Sequence, residues 1–207
     1  MKLKYWIYLI VFFVACIWSG INPYEQTLWY LEAGICLGGA TVLILTFKRF
    51  RFTDITYTFI LIEMIVLFIG AHYSYAREPF FGWLQETLGW ERNNFDKVGH
   101  FLQGFVPALV ARELYVRLNI FQKKGWIPFF VICTSLSISA FYELIEWWSA
   151  LMFTQSANDF LGTQGYEWDT QSDMFMAFLG ACMMLLLLAK TQDKQIEKVR
   201  QAIAAQV

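Results

Sequence analysis

Hydrophobic positions along the chain gather in six continuous runs, each closed by charges, Pro, Gly or Asn, and the runs do not alternate with polar residues. They cover residues 4–20, 28–47, 54–72, 97–117, 126–149 and 171–190. A helix rises about 1.5 Å per residue, so runs of this length cross a hydrocarbon core of about 30 Å. Strands of a membrane barrel would alternate over about ten residues instead. The pattern predicts an all-α, polytopic membrane protein, a bundle of about six transmembrane helices. No repeat or linker interrupts it, so residues 1–207 read as a single transmembrane domain. Beyond residue 190, Ile196, Val199 and Ile203 recur at helical spacing among charges. Residues 191–207 therefore read as a short cytoplasmic tail helix, continuing out of the membrane or lying on it.

Composition agrees with the pattern. The chain is 57% hydrophobic and 16% charged, where soluble domains carry about 25% charge. A net charge of -1 offers no electrostatic basis for binding nucleic acid. Placement of the basic residues says more than their number. With the N-terminus inside, thirteen of the sixteen Lys and Arg fall at cytoplasmic ends and loops, and only Arg77, Arg92 and Lys97 fall outside. This positive-inside bias puts both termini in the cytoplasm of a bacterial cell, in a multi-pass inner-membrane arrangement. Lys2 and Lys4 before an apolar run also suit a signal peptide, but Phe13-Val14-Ala15-Cys16 is a poor cleavage site, so the first helix is expected to stay. All four cysteines lie inside apolar runs without a CxxC pair, as buried packing residues do.

Ionisable residues inside spans are costly, which makes their positions informative. His72 and His100, the two histidines of the chain, fall near the outer face, together with Asp96, Glu143, Glu146, Asp169 and Asp173. Asp96, His100 and Gln103 are spaced by four and three and share a helix face. Pro107 follows one turn later; it withholds a donor from the Gln103 carbonyl and favours a kink. Ser135, Ser139, Glu143 and Glu146 form a similar stripe, whose small hydroxyl residues admit a close neighbour. Asp169 and Asp173 open the sixth span, where Asp also suits a helix N-terminus. Carboxylates this close repel unless protons or a cation compensate them. Asp96, His100, Glu143, Glu146 and Asp173 are thus candidate ligands for a divalent metal; carboxylates suit Mg, Mn or Ca, and imidazole draws the set toward Zn or Mn. His72, Gln103 and Asp169 are expected to line the same pocket. Glu63, mid-span, suits a proton-carrying group or equally a partner for hydroxyls across a helix interface, and the i, i+4 pair Glu113 and Arg117 near the cytoplasmic surface reads as structural.

Several strings carry a resemblance. Gly70-Ala71-His72-Tyr73-Ser74-Tyr75-Ala76, Arg92 through Phe101, Tyr142-Glu143-Leu144-Ile145-Glu146-Trp147-Trp148, Leu161-Gly162-Thr163-Gln164-Gly165 and Trp168 through Met174 resemble the YjdF family of bacterial inner-membrane proteins. That resemblance implies a location more than an activity. Asp96-Lys97-x-x-His100-Phe101, Glu143 and Asp173 ahead of Gly180 are more distantly similar to VanZ-like proteins, which are associated with resistance to teicoplanin-type antibiotics. The chain departs from that pattern at Glu146 and Ala177, where Gln and Asn are common, and so has a more acidic site.

Three functions fit these residues. An enzyme would use a metal to activate water or polarise a phosphoryl or acyl group, with Glu143 or Glu146 as general base and His100 as ligand or acid. Its substrate would be a membrane lipid, a lipid-linked precursor or a small amphiphile. No HExxH, GxSxG or phosphate-binding Gly loop occurs. A carrier or receptor would bind a cation or amphiphile through the same carboxylates, though related halves with broken helices are not evident. A structural membrane protein would use the cluster only to fix helix packing.

Overall fold

A computed structural model describes residues 3–152, 164 and 166–204. Lys2, Leu161, Gly162, Thr163, Gly165 and the last three residues of the expected tail lie outside the described residues. The helices are α1 (Leu3–Ser19), α2 (Gln26–Thr46), α3 (Asp54–Tyr73), α4 (Pro79–Leu88), α5 (Phe95–Arg117), α6 (Ile127–Met152) and α7 (Asp169–Ala204), with single 3-10 turns at Tyr75–Arg77 and Lys124–Trp126. No strand occurs among the described residues. The fold is all-α, and α2, α3, α6 and α7 are long and apolar enough to cross a membrane. α1 is apolar but has 17 residues.

α5 has the length of a span, 23 residues, yet it is more polar than α1, α2, α3 and α6. Its place in the bundle explains this: it packs on α3, α6 and α7, and α1 and α2 pack on α3 in turn. Leu109, Val106 and Phe105 of α5 form a core with Ile60, Val131 and Met184. Its polar residues are thereby shielded from lipid and meet partners on neighbouring helices, as intramembrane charges require. α5 continues as a helix through Pro107.

α5 and α7 approach backbone to backbone. A Cβ on Gly104 would lie 1.8 Å from the Ala177 carbonyl oxygen, and one on Gly180 would lie 2.0 Å from that of Phe101. Only glycine fits at either place. The two helices run in the same direction, so this register sets Asp96, Lys97 and His100 beside Asp169 and Asp173.

Lys4 pairs with Asp54, Tyr5 donates to Asp54 at 2.9 Å, and the Ile55 amide donates to Gln195 at 3.0 Å. The start of α1 and the far part of α7 therefore share one end of the bundle. Here the structure adds detail to two expectations. Glu113 does pair with Arg117, at 2.8 Å, but it is wholly buried and also accepts from the Thr53 amide at 2.8 Å and from the Thr53 and Thr56 hydroxyls at 2.7 Å. Residues 191–204 continue α7 without a break, the first of the two arrangements expected for the tail. Gln192 is buried there, donating to the Leu109 carbonyl at 2.8 Å and accepting from Arg112 at 2.9 Å. α4 was not expected at all. Glu78 caps it by accepting from the Phe81 amide at 2.7 Å, Pro79 occupies its first turn, and Gly89 closes it at φ +67°.

Candidate functional site

At the opposite end of the bundle, α5 opens on an Asx turn in which the Phe95 amide donates to the Asn93 side chain at 3.0 Å. Gln164 holds the Asn93 backbone from both sides, accepting from its amide at 3.0 Å and donating to its carbonyl at 2.9 Å. The first turns of α5 and α7 then interlock through charge. Lys97 Nζ reaches Asp173 at 2.6 Å, Asp169 at 2.7 Å and Asp96 at 3.6 Å. Arg92 pairs with Asp169 and lies 3.2 Å from Asp96. All three carboxylates are buried, so these charge-assisted contacts hold the two helix ends together with little competition from water.

His100 sits one turn deeper, 5% exposed. Its Nε2 lies 3.3 Å from Asp96 and 3.8 Å from Asp173, and its Nδ1 lies 3.1 Å from the Gln103 side-chain oxygen and 3.7 Å from Glu143 Oε1. One donor atom each from Asp96, His100 and Asp173 fall within 4.8 Å of one another. Glu143 is 8% exposed, and its Oε1 has no hydrogen-bond partner among the described residues. It ends a buried stripe on α6 of Ile127, Val131, Ser135, Ser139 and Glu143, each four residues from the last. Ser135 and Ser139 are fully buried without a side-chain partner, so they act by being small.

Asp96 and His100 also face a cavity of about 220 Å³ enclosed by α2, α3, α5 and α6. Glu146, Gln103, Tyr75 and Tyr142 line it, and so does Glu63 on α3. Glu32, 3% exposed, accepts a hydrogen bond from Tyr142 at the cavity wall. The Tyr75 ring packs where a Cβ on Gly70 would stand, 2.4 Å away, and so wedges between α3 and α5.

Of the residues expected in the site, Asp96, His100, Gln103, Glu143, Glu146, Asp169 and Asp173 come together. His72 does not. It stacks on Trp18 at 4.6 Å and its Nδ1 meets the Ser19 carbonyl at 3.1 Å, joining α3 to the end of α1. Glu63, mid-span on α3, faces the cavity. Glu32 was missed, although an acid inside the second apolar run is costly by the same rule that singled out the others.

A family model described as "predicted membrane protein (DUF2238)" matches residues 4–194. The chain belongs to this family. The DUF2238 match takes in every residue of the cluster and the cavity. The chain is also 45% identical over 182 residues, 88% of its length, to the inner membrane protein YjdF of Escherichia coli (strain K12), covering 87% of that protein. No solved structure matches. The protein is thus a multi-pass membrane protein of the DUF2238 family.

Proposed function

We propose that Asp96, His100, Asp173 and Glu143 hold a divalent cation at the outer end of the bundle, and that the adjoining cavity admits the polar end of a lipid or other amphiphile. The reading rests most on Glu143: a buried carboxylate oxygen without a hydrogen-bond partner among the described residues points at an imidazole that already gathers two aspartates. Burying such a group is costly unless a further positive charge completes it. Mg, Mn, Ca or Zn suits the donors, with imidazole favouring Mn or Zn. The ion would polarise a phosphoryl or acyl group or activate water, and Glu146, on the cavity side, would take the proton.

Of the residues that resemble VanZ-like proteins, Asp96, His100, Glu143 and Asp173 are the ones this reading uses. The likeness to an inner membrane protein and the basic residues at the terminal end support an inner-membrane location with both termini in the cytoplasm. The site then opens toward the outer leaflet. Arg92, Lys97 and Asp169 have a different role: their mutual pairing offsets charge and fixes α5 against α7.

Metal analysis of protein purified without chelator tests the ion. Wild type is expected to carry one equivalent and His100→Ala, Asp173→Asn and Glu143→Ala to lose it. Equal content in all four preparations, or none in wild type, overturns the proposal. Turnover is tested separately by comparing lipid extracts of a deletion strain restored with wild type or with Glu146→Gln. Indistinguishable profiles would leave binding without catalysis.

A further inference from the structure

The cations of the cluster all lie on one side of it. Arg92 and Lys97 face Asp169 and Asp173 of α7, whereas the cavity on the other side of His100 is lined by neither Lys nor Arg among the described residues. Three carboxylates nevertheless line it: Asp96, Glu146 and Glu63. Glu63 and Glu146 make no hydrogen bond or ion pair with any described residue. Glu32 adds a fourth acid at the wall. It lies one turn from Ile35 and Cys36, which face the cavity, and its Oε2 is buried without a hydrogen-bond partner among the described residues. Among the described residues His100 is the one basic side chain at this space, so the acids around it leave negative charge for protons or a cationic ligand to offset.

The space is too large for a bare ion. At about 220 Å³, it matches roughly seven liquid waters, or a head group of on the order of seven to ten heavy atoms. Apart from His100 and Gln103, its remaining lining is apolar or aromatic, with Ile35, Leu67 and Ile138 beside the Tyr75 and Tyr142 rings. Carboxylates, tyrosine rings and aliphatic side chains together suit an organic ammonium, which offers N–H donors, a charge for aromatic faces and a hydrocarbon body. Such a body has somewhere to go. Met64 lines both this cavity and an apolar one of about 490 Å³ between α1, α2 and α3. The Met64 methyl lies 3.3 Å from where a Cβ on Gly39 would stand, so a small residue there leaves the thioether room to move.

We infer that the cavity binds the ammonium head of an amine-bearing molecule between Glu63 and Glu146, with its hydrocarbon directed toward Met64. This names the class of ligand for the cavity of the proposed function; it rests on that cavity being a binding site and not on the metal.

The test uses the full chain in detergent or nanodiscs, titrated with n-butylammonium, n-butanol and butyrate and followed by thermal unfolding and calorimetry. Saturable binding of butylammonium alone is expected, weakened at least about tenfold by Glu63→Gln and by Glu146→Gln. Each variant is first checked for a monodisperse, cooperatively unfolding protein, and Glu63→Gln is expected to keep its metal. Equal responses to butylammonium and butanol, or unchanged affinity in both variants, overturns the inference. Asp173→Asn, which lies off the cavity, separates the two readings: retained amine binding without metal upholds this inference alone, and retained metal without amine binding in wild type upholds only the other.

Discussion

Single residues fix this bundle through two kinds of contact that differ widely in strength. Gly104 admits no side chain because the Ala177 carbonyl occupies that space. Gly104→Ala should cost about 1–3 kcal/mol or more through overpacking, read as a fall in thermal midpoint. Gly38, whose Cβ would meet nothing within 4 Å, is the control; Gly38→Ala should be neutral or stabilising by up to about 1 kcal/mol. Among charges, Glu113 is fully buried with four donors, so Glu113→Ala should cost about 3–5 kcal/mol by stranding Arg117 and the threonines. Lys4 and Asp54 are 35% and 47% exposed, and Lys4→Ala should cost less than about 1 kcal/mol. Chemical denaturation of the four variants ranks them. Spacing made the Asp96, His100 and Gln103 face readable, because i, i+3 and i+4 neighbours must share a side. His72 shows the limit of such reading: an outer-end histidine can satisfy its ring on a backbone carbonyl, and no pattern in the sequence says which it does.

At the scale of elements, long apolar runs identified the membrane-crossing helices because backbone polar groups in lipid have few other solutions. α4 escaped because it is short and lies between spans. Its signals were local, with Pro79 one residue after a capping acid and Gly89 at the far end. The packing of the far half of α7 escaped for another reason: the helix has 36 residues and is about 54 Å long, and its charged second half looks solvated in sequence. Gln192 and Ile196 are nevertheless buried there. Ending the chain after Lys190 would strip Arg112, Thr56 and the Leu109 carbonyl of contacts to Gln192, and is expected to abolish stable accumulation in membranes. Ending it after Arg200 removes only exposed contacts of Gln201 among the described residues and should leave accumulation unchanged. Fluorescence size exclusion of tagged proteins compares the two.

Over the whole molecule, polarity is divided between the ends. Most of the basic residues, the start of α1 and the charged half of α7 share one end; the acid and imidazole cluster, with Arg92 and Lys97, occupies the other. Two of the three basic residues placed outside by sequence, Arg92 and Lys97, are partners of buried carboxylates. What sequence could not supply was the register of α5 against α7, which depends on two glycines meeting a neighbouring backbone. That register decides which carboxylates surround His100. Since the chain has two histidines and His72 packs against α1, the proposed ion has one candidate imidazole, His100. Chelator-stripped protein reloaded with Mn²⁺ and recorded by pulsed electron spin echo spectroscopy should show nitrogen modulation from one imidazole in wild type and in His72→Ala, and none in His100→Ala. Tightly bound Mn²⁺ without nitrogen modulation, or modulation that survives His100→Ala, would contradict a metal centre built on His100.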